Sequence, residues 1–351
     1  MKLRRIEPIV VPVASVLVAF LIGSLLIAAQ GADPLAAYES LFKTSLGSLD
    51  GIGRTLGRAT PLVLAGLAVA LGIRVGLFNI GAQGQLLFGA LSAAVIGYSL
   101  DGLPSLLHIP LALIVGALAG AAYGFIPGVL KAYRGVHEVI STIMLNSIAL
   151  GMIDYLVSTH FKEPDQPLTR TPAVLPSAKL GELGGLPLGF FIALSLAIIV
   201  WWFMRRTVFG FKLETVGRSK PAAWYAGISV KAAVIFGMTA GGALAGLGGA
   251  IETLGVTGRY EPGFNMGLGF DGITIALLGR ANPLGIIPGA LLIGAMRVGG
   301  PNMQFDAGVA PEIVDVLVAL TLFLVSAPLL AKLFRRGRSG VDSNITSGWG
   351  A

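Results

Sequence analysis

The chain has 351 residues, of which 54% are hydrophobic and only 12% charged, with a net charge of +7. Soluble domains carry about 25% charged residues, so this balance excludes a water-soluble fold and points to an integral membrane protein. The absence of cysteine excludes disulfides, thiolate metal sites and a cysteine nucleophile. The surplus cations sit mainly at the ends of apolar runs, which ties them to orientation in a bilayer rather than to nucleic acid.

Met1-Lys-Leu-Arg-Arg5 precedes an apolar run, Ile9–Ala29. The run is long for a signal peptide and further spans follow it, so we read a retained first helix in spite of the cleavage-like Ala28-Ala-Gln-Gly-Ala32. The segment Gln30–Arg58 is amphipathic, with Leu35, Tyr38, Leu41 and Phe42 at helical spacing, and is expected on the outer membrane surface. Hydropathy then predicts Ala59–Ile73, Leu86–Leu100, Ile109–Leu130, Val139–Ser158, Leu188–Met204, Ala232–Leu254, Gly267–Gly279, Leu284–Gly299 and Pro311–Ala331, which makes about ten spans. The runs at 59–73, 267–279 and 284–299 would reach only about 20–24 Å as straight helices. They are expected to be discontinuous or to borrow flanking residues.

The fold class expected is therefore an all-α integral membrane protein with discontinuous segments and a weak internal repeat. One domain is expected over 1–351, with an inner loop at 205–231 and a cytoplasmic tail at 332–351. Most of the 25 Lys and Arg fall on one set of loops, which places both termini in the cytoplasm. The loop Thr159–Pro187 is rich in Pro and Gly and shows no helix period. In the inner loop, Pro221-Ala-Ala-Trp-Tyr-Ala-Gly-Ile228 predicts a short helix opening at Pro221. Glycines recur at 116, 120, 124 and 128, again at 237 and 241, and at 242 and 246, a spacing that gives smooth faces for close helix packing.

Polar chemistry concentrates in Arg74-Val-Gly-Leu-Phe-Asn-Ile-Gly-Ala-Gln-Gly-Gln85. Irregular polar backbone at membrane depth survives only where it is buried in protein or lines a wet cavity. Glycine-interrupted apolar segments therefore point to a transport path, and the alternative is a polar turn joining two helices. A counterpart lies at 270–285, again with short apolar halves, an inner Arg (Arg280) and a nearby Asn (Asn282). Paired interruptions in two halves are a transporter pattern. The candidate path residues are Asn79, Gln83, Gln85, Asn146, Glu252 and Asp271. Asp154, Glu312 and Asp315 are placed at helix ends, in contact with solvent.

No Gly-x-x-x-x-Gly-Lys-Ser/Thr loop is present, so the chain has no phosphate cradle of its own. Gly267-Leu-Gly-Phe-Asp-Gly272 fits a dinucleotide fingerprint by spacing but follows no strand. His108, His137 and His160 lie far apart at span ends and are read as interfacial polar residues rather than metal ligands. No nucleophile grouping suggests an enzyme. Amides rather than ionisable groups dominate at mid-depth, which suits neutral hydroxyl-bearing solutes. An ion-coupled secondary transporter remains the alternative.

Four motifs in order carry a family resemblance: Arg74–Gln85, Gly135-Val-His-Glu-Val-Ile-Ser-Thr-Ile-Met-Leu-Asn146, Gly255-Val-Thr-Gly-Arg-Tyr260 and Gly267–Arg280. From about residue 55 to 330 the chain resembles permease subunits of bacterial ABC importers, on the nucleoside and simple-sugar branch related to ribose-type permeases. One departure is Gln83, where that branch commonly has Glu. The resemblance implies an inner-membrane permease, not an enzyme, paired with a sister permease in a homo- or heterodimer. It implies a cytoplasmic ATPase that binds ATP and Mg, and an extracytoplasmic substrate-binding lipoprotein, with no cofactor in this chain. It also implies that Gly217, Arg218, Pro221, Ala222, Ala223, Trp224, Tyr225 and Gly227 form the ATPase-coupling loop.

Overall fold

In a computed structural model the described residues are 7–263, 267–310 and 312–326. The basic N-terminal five residues, Pro311 and the tail 332–351 lie outside them. Among these residues thirteen α-helices follow one another: α1 Glu7–Ala29, α2 Pro34–Leu46, α3 Leu49–Arg74, α4 Ala82–Ser99, α5 Ser105–Arg134, α6 Glu138–Thr159, α7 Leu188–Arg206, α8 Val208–Arg218, α9 Lys220–Tyr225, α10 Val230–Glu252, α11 Leu268–Leu278, α12 Ile286–Ala307 and α13 Ile313–Ser326. A π-helical turn, Thr253–Thr257, extends α10. Among the described residues α1, α3, α5, α6, α7 and α10 with its extension are long and apolar enough to cross a bilayer, and α11 and α13 are shorter apolar helices. The protein is a helical membrane protein.

Local signals set the helix starts. Asp33, Ser48, Thr207, Ser219 and Ser229 each accept a backbone N–H from the first turn that follows, the N-cap role of short polar side chains. The segment read as one outer loop at 30–58 is instead a helix, α2, followed by the first two turns and more of α3. The amphipathic face of α2 is turned to protein: Ala37 and Leu41 are fully buried, and Gly299 of α12 lies directly against the Leu41 carbonyl. The short span at 59–73 is resolved in the same way, because α3 borrows ten residues on its N-terminal side. The 284–299 span lengthens to α12, and only α11 stays short, about 16 Å at 1.5 Å per residue.

α3 is the central post. Its residues from Ala59 to Gly72 are all buried, and α4, α7, α10, α11 and α12 pack around it. The glycine repeats do what their spacing predicts, on two different neighbours. A Cβ on Gly242 would collide with the Gly120 carbonyl, and one on Gly246 would lie 2.5 Å from the Gly116 carbonyl. Gly237 and Gly241 instead approach Val75 and the α3 backbone at Ala68. α10 is thus smooth on two faces and holds α5 on one side and α3 on the other.

The Pro- and Gly-rich loop is structured without a long helix, as expected. It holds a 3-10 turn at Pro176–Ala178 and a hairpin, β1 Glu182–Leu183 with β2 Leu186–Pro187. Gly184 and Gly185 make the turn at φ 61° and 81°, the left-handed conformations a two-residue hairpin loop requires. His108 is not an interfacial residue. It is fully buried, and its ring joins Ser177 Oγ at 2.9 Å to the Ile96 carbonyl at 3.0 Å, so it pins α4, α5 and this loop together. His137 and His160 are exposed, and no metal-binding group is found among the described residues.

Candidate functional site

The break after α3 folds back into the bundle instead of lying on its surface. Val75 is buried, Gly76 turns at φ 75°, and α4 opens with Ala82 and Gln83 already buried. α11 also begins inside the bundle, at Leu268 and Gly269. The two N-termini meet: Gly269 N–H donates to Gln83 Oε1 at 2.8 Å. Two positive helix ends brought together need negative partners. The Gln83 carbonyl supplies one, and Asp271 in the first turn of α11 supplies another.

The remaining amides complete this junction. Asn79 Nδ2 donates to Gln85 Oε1 at 2.9 Å, and Gln85 Nε2 donates back to Asn79 Oδ1 at 3.1 Å. Asn146 on α6 accepts from Gly84 N–H at 2.9 Å and donates to the Ile80 carbonyl at 3.0 Å. All four side chains are buried, none more than 4% exposed. Their polar groups satisfy one another and the open backbone of the break. In this conformation of a single chain they close the interruption and tie it to α6 and α11.

The turns at the other side of the breaks are tied as well. Arg74 Nε donates to the Ala281 carbonyl at 2.7 Å, linking the α3–α4 turn to the α11–α12 turn. The paired interruptions expected from the sequence are thus in direct contact. Arg74 also lies 3.6 Å from Glu214 on α8, so α8 and α9 sit at the same end of the bundle.

The acidic candidates form a second group. Glu252 is fully buried and accepts from Arg58 Nη1 at 2.8 Å. Asp271 Oδ2 accepts from Arg297 Nε at 2.9 Å and Nη2 at 2.7 Å, and Arg297 also pairs with Asp315 at 3.1 Å. Asp315 is exposed, as its place at a helix end predicts, and through Arg297 it also belongs to this network. Arg58 and Arg297 line one open pocket of about 600 Å³ with Asp50, Arg54, Glu182 and Gly255, at the end of the bundle opposite α8 and α9. Glu252 and Asp271 are therefore neutralised behind an arginine-rich wall. Sequence reasoning passed over Arg58 and Arg297. Part of their signal was present, since a cation at the edge of an apolar helix requires a partner, and the acidic Glu252 and Asp271 were already singled out.

The coupling-loop candidates split by burial. Pro221, Ala222, Trp224, Tyr225 and Gly227 are exposed, whereas Ala223 is fully buried. Ala223 packs into an apolar cluster with Leu71, Val75, Leu213 and Met238. Trp224 and Tyr225 stand edge to face at 5.1 Å and are 67% and 83% exposed. Gly217 lies against the Arg74 carbonyl, where a Cβ would collide, and Arg218 pairs with Glu214 at 2.9 Å.

Residues 51–326 match the permease component family of branched-chain amino acid transport systems. The chain is 38% identical over 349 residues to the guanosine ABC transporter permease protein NupP of Bacillus subtilis, covering 95% of this chain and 99% of the relative. It is 36% identical to the nucleoside ABC transporter permease protein NupB of Lactococcus lactis, covering 94% of each. It is 34% identical to the glucose ABC transporter permease protein TsgB13 of Haloferax volcanii, covering 94% of this chain and 89% of the relative. The chain belongs to this permease family, with the nucleoside ABC transporter permeases among its relatives.

Proposed function

We propose that this chain is the membrane-spanning permease subunit of an ABC importer that brings nucleosides, or related simple sugars, across the bacterial inner membrane. The observation that carries this reading is the near full-length likeness to permeases named for guanosine and nucleosides. The glucose permease relative keeps hydroxyl-bearing sugars within the solute class. In this reading the whole chain works as one permease domain that crosses the membrane about ten times, with both termini cytoplasmic. A sister permease, identical or not, completes the translocation path.

The partner ATPase binds ATP and Mg, and this chain contributes no cofactor. The exposed Trp224–Tyr225 pair on α9 seats in a groove of that ATPase. Arg74 links α8 to both inner turns, so movement of α8 and α9 reaches the amide junction. On the opposite side, the pocket walled by Arg54, Arg58 and Arg297 receives solute from an extracytoplasmic binding protein. Asn79, Gln83, Gln85 and Asn146 meet solute only when the junction opens.

The test is uptake of labelled guanosine into proteoliposomes holding permeases, ATPase and binding protein. Uptake that requires internal or external ATP at the ATPase face supports the reading. Uptake by the permease alone, driven by a proton or sodium gradient, would overturn it.

A further inference from the structure

A second pocket, of about 730 Å³, opens between α1 and the α11–α12 turn. Its walls are Pro12, Val16, Leu17, Leu278, Pro288 and Leu292, and among the described residues its only charged lining residue is Arg280, with the Asn282 amide beside it. Nothing in the solute path or in the Trp224–Tyr225 surface uses this pocket. It lies at the end of the bundle where Arg74 binds the Ala281 carbonyl, the end that also carries α8 and α9.

The turn that presents Arg280 is unusual. Arg280 and Ala281 stand in succession at φ 52° and 51°. Side-chain-bearing residues rarely adopt this left-handed region, and such strain persists where the surroundings over-determine it. Here Gly279 and Gly285 press together, and Arg74 clamps Ala281. The result leaves Arg280 exposed, and no carboxylate among the described residues pairs with it. Asn282 Oδ1 accepts from Leu284 N–H at 3.4 Å, which directs its amide NH2 away from that bond.

We propose that this pocket binds an anionic phospholipid, with one acyl chain along Pro12, Val16, Leu278 and Leu292 and the phosphate on Arg280 and Asn282. An apolar trough that ends in the exposed Arg280 guanidinium matches the two parts of such a lipid. Basic pockets between membrane helices on the positively charged side recognise acidic headgroups in this way. A neutral or zwitterionic lipid would fill the trough equally well but gain less from Arg280. The bound lipid would brace the α11–α12 turn, to which Arg74 and Glu214 connect α8.

The cysteine-free sequence makes a direct test simple. Val16→Cys is labelled with a fluorophore in the assembled transporter and titrated in nanodiscs with brominated phosphatidylglycerol or brominated phosphatidylcholine. One cationic side chain near a membrane surface contributes about 1 kcal/mol, so quenching should favour phosphatidylglycerol about fivefold. Arg280→Gln in the same background should abolish the preference and leave quenching by phosphatidylcholine intact. Leu292→Trp, which fills the trough, should reduce quenching by both lipids.

Equal quenching by the two lipids in the parent protein would overturn the proposal, as would an unchanged preference in Arg280→Gln. Soluble glycerol phosphate competing as well as the lipid would reduce the site to an anion contact and overturn it too. So would disulfide crosslinking of the unlabelled Val16→Cys protein to a second permease, because the trough would then be a subunit interface. None of these readouts depends on which solute is transported.

Discussion

The backbone N–H of Gly269 and the side-chain carbonyl of Gln83 are 186 positions apart in sequence and 2.8 Å apart in space. Through this bond the first turn of α11 rests on the first turn of α4. The contact has no slack, because a Cβ on Gly269 would overlap the backbone of Gln83. Two predictions follow from the same geometry. Gln83→Leu leaves a buried N–H without an acceptor and should destabilise the protein by about 1–3 kcal/mol. Gly269→Val cannot be accommodated without parting the two helices, and should yield no folded transporter. Thermal unfolding in detergent separates these outcomes, and a Gln83→Leu protein as stable as the parent would show that the bond is not the hinge of the junction.

Asn79 and Gln85 exchange two hydrogen bonds inside the fold, so they should behave as a unit. Either Asn79→Leu or Gln85→Leu alone strands a buried amide, at a cost of about 1–3 kcal/mol for the lost pairing. The double replacement removes both halves together and should cost clearly less than the sum. A double-mutant cycle by denaturant unfolding measures this coupling. Additive costs would mean that each amide has another partner that matters more.

How much of this was legible beforehand depended on range. α1, α5, α6, α7 and α10 stood out because each is an apolar run long enough for a ~30 Å core. The boundary between α2 and α3 did not, because Asp50, Arg54 and Arg58 and four glycines read as loop until Glu252, nearly two hundred residues later, neutralises Arg58. α8 was hidden for a related reason: its charged face satisfies solvent, and its buried Leu213 and Val216 are too few for a hydropathy window. The amide cluster was visible as a concentration of residue types. Its wiring was not, since hydropathy carries no information about whether an amide faces a solute or another amide.

Arg58 and Glu252 predict a sharp asymmetry. Glu252 has no exposed surface, while Arg58 is about one-third exposed. Arg58→Met abandons a carboxylate in the interior, and removing one partner of a buried pair costs about 3–5 kcal/mol. Adding Glu252→Gln should recover much of that loss, because the residual group is neutral. The comparison is one of melting temperatures for the parent, the single and the double variants. If the single variant melts with the parent, water reaches Glu252 and the pair belongs to the open pocket rather than to the core.

The surface of α9 allows coupling to be tested without disturbing the fold. Ala223 is fully buried among Leu71, Val75 and Met238, so a large or charged residue there would disrupt the packing of α8 and α9 and prove nothing about a partner. Trp224 and Tyr225 project away from that cluster. Replacing both with Ala should leave the unfolding free energy within about 0.5 kcal/mol of the parent, as surface changes do. The same variant should fail to retain the ATPase subunit on affinity purification, and guanosine-stimulated ATP hydrolysis should fall by an order of magnitude, about 1.4 kcal/mol of lost contact. A variant that keeps both the ATPase and its stimulation would move the docking surface elsewhere on α8 and α9, with exposed Arg218 and Lys220 as the next residues to change.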